Sequence, residues 1–122
     1  MIEIKKVRDI ELAQKICGDN GVDWNPQYHI IATIENDTVL QCAVFDYENE
    51  DGEILVIDGF DGEISLLDGL CRAILNIMDI NGVKLVTMPL KYKKIADHVG
   101  FKLQKENYQL ELEGFFQCGC CK

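Results

Sequence analysis

No apolar run in this chain approaches the roughly 20 residues that would cross a bilayer as a helix, so a helical membrane span is not expected. The opening Met1-Ile2-Glu3-Ile4-Lys5-Lys6 lacks the long apolar stretch and small-residue cleavage site of a signal peptide. A cytoplasmic protein with no membrane partner is the expectation. Basic residues are also few: 12 Lys and Arg face 21 Asp and Glu, a net charge of −9. The lysines are spread instead of forming a stripe, which argues against nucleic acid as a partner. Histidine is scarce, and neither His29 nor His98 has a Ser, Cys or acidic residue at a diagnostic spacing, so each reads as structural before catalytic. Internal repeats and interdomain linkers are lacking. The 122 residues suffice for one core and not for two ordinary domains. Residues 1–114 are therefore read as a single domain, with residues 115–122 as a cysteine-rich tail.

What is present is an average globular composition, 48% apolar and 27% charged. Cys17, Cys42 and Cys71 lie inside apolar periodic segments, where a free thiol acts as a small core residue. The other three of the six cysteines, Cys118, Cys120 and Cys121, crowd into the last five positions. They offer soft ligands to a metal ion such as zinc or copper(I), with His98, Cys71 or a second subunit open as the fourth ligand; an exposed tail of reactive thiols is the plainer reading.

Periodicity orders the elements. Residues 1–7 read as a strand. Asp9 caps a helix with Ile10, Ala13, Ile16 and Cys17 on one face, which Gly18 should end. The turn-rich stretch 19–26 follows, its Trp24 expected to pack onto the body. Residues 28–33 and 39–47 read as strands joined by a hairpin turn, and 48–52 as a second turn. The near-continuous apolar run Ile54-Leu55-Val56-Ile57 suits a central strand buried on both faces. Ser65 and Asp68 read as a capping-box variant at the head of the longest helix. Its core stripe is Leu66, Leu67, Leu70, Ala73, Ile74, Ile77 and Met78. Asn81-Gly82 ends it, and residues 83–88 form a strand ahead of Pro89. A short helix over 92–99 closes at Gly100, and strands near 101–105 and 108–113 complete the chain. The order is β-α-β-β-β-α-β-α-β-β, an α/β (α+β) chain with a mixed β-sheet flanked by helices. A right-handed crossover makes strand 53–57 parallel to strand 83–88.

That order resembles the GNAT N-acetyltransferase superfamily. The likeness extends by architecture over nearly the whole chain and by local pattern over residues 53–102, with Asp97-His98-Val99-Gly100-Phe101-Lys102 similar to the family's Gly-Phe ending of the penultimate helix. Leu67-Asp68-Gly69-Leu70-Cys71-Arg72-Ala73-Ile74-Leu75-Asn76, with the cysteine-rich end, more narrowly resembles small GNAT-like proteins of anaerobic Gram-positive bacteria. The resemblance implies acetyl transfer from acetyl-CoA to a small-molecule or protein amine. It assigns Val56, Ile57, Asp58, Gly62, Glu63, Ile64 and Ser65 to the cofactor, which backbone groups of Val56, Ile57 and the loop ending at Ser65 would hold in a splayed gap between the two parallel strands. The family's phosphate loop falls on residues 62–67, where Ser65 and Leu67 stand in place of its glycines and no Arg or Gln opens it. Asp58, Asp61 and Glu63 add negative charge there. Many members use a tyrosine four residues before the Gly-Phe pair as general acid. Ala96 holds that place here, and Tyr92, one helical turn earlier, is the candidate, with packing as its structural alternative. One helix instead of two between the first strands implies a reduced acceptor pocket, or one completed by another chain such as a homodimer partner. The rival expectation is a non-catalytic GNAT-like binding module whose tail holds a metal or a protein.

Overall fold

The computed structural model describes residues 2–59, 64–113 and 115. Strand β1 (Ile2–Lys6) leads to helix α1 (Ile10–Asp19), capped as the sequence implies by Asp9, whose Oδ1 accepts from the Glu11 N–H at 3.0 Å. Gly18 does not end α1. The helix runs one residue further, and the chain turns at Asn20 and Gly21, where φ reaches +74°. Asn20 Nδ2 donates to the Ile16 carbonyl at 2.9 Å and the Val22 N–H to Cys17 O at 2.9 Å, so the last carbonyls are satisfied only after Gly18.

Strands β2 (His29–Glu35) and β3 (Thr38–Glu48) form a hairpin over Asn36-Asp37, both at positive φ, the geometry of a tight primed turn. Strand β4 (Asp51–Gly59) returns along β3, pairing Glu48 with Asp51 and Val44 with Val56. A register shift beside Phe45, which pairs with Ile54, sets Leu55 as an extra residue on β4. The bulge lets Leu55 and Val56 both serve the α1 side while Ile54 and Ile57 serve the other. The central apolar run is buried on both faces as expected.

Helix α2 (Ile64–Ile80) buries Leu70, Cys71, Ile74, Leu75 and Met78. The expected stripe is rotated at its start: Leu66 is exposed, and Cys71 and Leu75 take part instead. Ser65 lies within the first turn and not ahead of it, so it does not cap the helix. Gly82, at φ +88°, turns the chain into strand β5 (Leu85–Met88). A single 3-10 turn over Leu90–Tyr92 precedes helix α3 (Lys93–Val99), and Gly100 closes α3 in the left-handed conformation at φ +114°. Strands β6 (Lys102–Leu103) and β7 (Tyr108–Glu111) finish the described chain.

Among the described residues seven strands form one sheet in the order β1-β2-β3-β4-β5-β7-β6, antiparallel at every joint except β4–β5. That joint is parallel, as the crossover rule requires. On one face α2 and α3 cover the larger core, built on Phe45, Ile54, Ile57, Leu70, Ile74, Met78 and Met88. On the other, α1 packs Ala13, Ile16 and Cys17 against Ile30, Val44 and Val56, with Trp24 folded onto that cluster. Among the described residues no helix is long and apolar enough to cross a membrane.

Candidate functional site

The parallel joint is short. Asp51, Gly52 and Glu53 pair with Leu85, Val86 and Thr87, and there the pairing stops, although β4 continues to Gly59. Pro89 bears on the divergence, since it cannot donate to a ladder and follows the last residue of β5. The Lys84 and Leu85 N–H groups both donate to the Glu50 carbonyl, at 2.7 and 3.1 Å, and pin the start of β5 to the β3–β4 hairpin. Beyond Glu53, β4 therefore keeps β3 on one side and leaves its other side to a gap.

A cleft of about 290 Å³ opens at that gap. Its walls are the end of β4 (Ile57, Asp58, Gly59), the first turn of α2 (Ile64, Leu67) and the turn into α3 (Lys91, Tyr92, Lys94, Ile95). Tyr92 is half-buried there. Burial raises its phenol above the ordinary value, a backbone hydrogen bond from Ile57 pulls it down, and the Asp58 charge pushes it up again. The phenol stays protonated near neutral pH, with its oxygen held by a backbone group of the unpaired strand.

Asp58 lies at the meeting point of two clefts. Opposite Cys42 across the β3–β4 ladder, it also lines a space of about 320 Å³ beneath α1. Leu12, Ile16, Val39 and Cys42 form the apolar walls of that space, with Lys15 and Asp19 at its rim. Lys15 Nζ bonds Asp19 Oδ2 at 2.9 Å. Burial first, and then the charge of Asp58, pushes the Cys42 thiol up to about 11. Burial likewise pushes Cys71 up to about 12, so both are packing groups and not nucleophiles at neutral pH.

One buried polar residue bears on this site: Gln41 on β3, only 3% exposed. In the amide orientation that satisfies both ends, its Nε2 donates to the Leu66 carbonyl at 3.2 Å and its Oε1 accepts from the Leu67 N–H at 3.1 Å. Gly59 permits this approach, since a Cβ there would stand 3.0 Å from the Gln41 side-chain amide group and 3.3 Å from Leu67 Cδ1. The amide thus fills the space between the end of β4 and the first turn of α2.

Of the residues singled out from the sequence, Ile57, Asp58, Ile64 and Tyr92 come together around the cleft. Val56 belongs to the same strand, but its side chain is buried against α1. Ser65 is exposed and outside the cleft lining. Gly62, Glu63, Cys118, Cys120 and Cys121 lie outside the described residues. Among the described residues no group of three or more His, Cys, Asp or Glu side chains is placed to hold a metal ion. His98 Nδ1 lies 3.3 Å from Asp68 Oδ1, and Arg72 Nε reaches the same carboxylate at 2.9 Å, tying α3 to α2. His29 stacks on Tyr47 and Phe45, with centroids 5.1 and 5.2 Å away. Gln41, Gly59, Lys91 and Lys94 were not singled out from the sequence. The cluster Lys91-Tyr92-Lys93-Lys94 was the signal available for the lysines, and it runs against the expectation that basic residues are evenly spread.

No family model matches the sequence, and no curated protein matches it. Solved structures do match in shape. An acetyltransferase of the GNAT family from Staphylococcus aureus superposes with a TM-score of 0.67 at 11% identity, over 92% of this chain and 99% of that one. The ribosomal-protein-S18-alanine N-acetyltransferase of Escherichia coli gives 0.68 at 11%, over 89% and 90%. The PaiA N-acetyltransferase of Thermoplasma acidophilum, solved in complex with coenzyme A, gives 0.66 at 11%, over 91% and 99%. At that identity the likeness is one of backbone, and by that measure this chain has the GNAT acetyltransferase fold.

Proposed function

We propose that this chain is an N-acetyltransferase that moves an acetyl group from acetyl-CoA to a small amine. The observation that carries the reading is the parallel joint that ends at Glu53 and Thr87 while β4 runs on, leaving that side of β4 without a strand partner beside Tyr92. Unpaired N–H and C=O groups in a half-buried strand call for a partner, and the amide-bearing arm of a thioester cofactor is chemically suited to supply one. A PaiA enzyme of the same fold is named in complex with coenzyme A, which supports that choice of arm.

Bound acetyl-CoA would supply an acyl group already activated as a thioester. The chain's own residues would do the rest. The Ile57 backbone holds the Tyr92 phenol at the reacting end of the gap. Asp58, facing the α1-side cleft as well as the gap, holds the incoming ammonium and passes its proton to solvent. Tyr92 would give its phenolic proton to the leaving thiolate as the carbon–sulfur bond breaks, and recover one from the attacking nitrogen, which sheds its second proton as the new carbon–nitrogen bond becomes an amide. A phenol raised by burial keeps its proton until a stronger base forms beside it, which suits that role.

Isothermal titration with acetyl-CoA, followed by CoA release assays over a panel of primary amines, tests the proposal. Binding together with amine-dependent release is expected. Failure to bind acetyl-CoA would remove it, and binding without release from any amine would convert the chain into a non-catalytic module.

A further inference from the structure

The amino end of a helix is a ready seat for a diphosphate because its first N–H groups point outward and its dipole favours an anion. In this chain the first turn of α2 is poorly placed for that task. The Leu67 N–H already donates to Gln41, a buried amide wedged against Gly59. The first turn itself, Ile-Ser-Leu-Leu, carries no charged side chain, while Asp58, Asp61 and Glu63 stand ahead of it in the sequence.

The opposite wall of the same cleft has the complementary character. Lys91 and Lys94 both line it, three residues apart and on either side of Tyr92 in sequence. Residues at that spacing share a face on a helical turn. The Lys91 ammonium stands 5.2 Å from the centre of the Tyr92 ring. The lysine between them is engaged elsewhere, Lys93 Nζ bonding Asp97 Oδ2 at 2.6 Å. Neither Lys91 nor Lys94 has a carboxylate partner among the described residues. In a chain of net charge −9, two unpaired cations at the mouth of one cleft are a place for an anion to settle.

Resting on the acetyl-CoA reading above, we infer that the phosphates of the donor are gripped by Lys91 and Lys94 on the α3 wall and not by the amino end of α2. The gap then holds the pantetheine arm through backbone groups, while the nucleotide end is held by charge from one side.

The test uses two donors, acetyl-CoA and acetyl-pantetheine, which share the arm and differ in the phosphates. The wild-type chain should bind acetyl-CoA at least about tenfold more tightly at low salt, and that advantage should shrink as salt rises. In the double variant Lys91→Glu/Lys94→Glu the advantage should vanish while acetyl-pantetheine binds as before. Both lysines are exposed, so the fold is expected to tolerate the exchange, and an unchanged thermal midpoint checks this. If the acetyl-CoA advantage survives the double substitution, or if the two donors bind the wild-type chain equally, the lysine grip is wrong while the acyltransferase reading stands. If neither donor binds the wild-type chain, the proposed function fails and takes the grip with it.

Discussion

Tyr92 can be tested by the smallest change available, removal of one oxygen. Tyr92→Phe keeps the ring against the cleft wall and deletes the proton and the contact with Ile57. Under the proposed mechanism kcat should fall on the order of a hundredfold, with acetyl-CoA affinity altered only a few-fold. Unchanged turnover would return Tyr92 to a packing role. Tyr92 could be singled out from the sequence because it stands one helical turn before Ala96, where the proteins it resembles have a tyrosine. Gln41 was not. Strand alternation puts it on the same face as Ala43 and Phe45, yet an amide there reads as an outward polar residue until its two partners on α2 are seen. His29 supplies a test of pH. Burial first, then the nearby Lys6 charge, lowers its imidazole below the ordinary 6.5, with Asp46 opposing. The folded chain therefore takes up this proton less readily than the unfolded one, so stability present above about pH 6.5 is lost progressively as pH falls. The thermal midpoint of the wild-type chain should drop between pH 7 and 5.5 by more than that of a His29→Phe variant. Parallel curves would show that the imidazole contributes nothing.

Among the elements, α3 shows what local rules foresee well. A glycine after an apolar-faced helix predicts a left-handed cap, and Gly100 accordingly sits at φ +114°, its N–H and that of Phe101 both donating to the Ala96 carbonyl. Replacing Gly100 with Ala should cost roughly 1–2 kcal/mol, read by urea unfolding; a loss below about 0.3 kcal/mol would mean that the chain relaxes out of that conformation without penalty. The end of α1 shows the converse. Gly18 looks like a stop, but a glycine only permits the left-handed turn, and the Asn20-Gly21 pair two residues on makes it with a side-chain bond to Ile16 as well. The β4 bulge was illegible for a different reason. Four consecutive apolar residues carry no record of which one is extra, and that is decided by the pairing of Phe45 with Ile54 across the hairpin.

At the scale of the molecule, the order of elements and the parallel joint followed from periodicity and handedness, but the length of that joint did not. Three pairs hold β4 to β5, and α2 packs across β2, β3 and β4. The Ile57 amide, bonded to the Tyr92 phenol and not to a strand, should consequently exchange its hydrogen faster than that of Val86, which lies within the paired stretch, and acetyl-CoA should slow it. Equal protection of the two in the free protein would mean that the gap is closed in solution. The margins of the sheet carry a separate consequence. An unpaired outer strand is a template on which a second chain can build, and proteins that stay dispersed block it with charge or with brevity. Here both devices occur. β1 presents a Glu3–Lys5 ion pair and Lys6 around the exposed Ile4, while β6, at the opposite margin, is two residues long and offers too little backbone to nucleate aggregation.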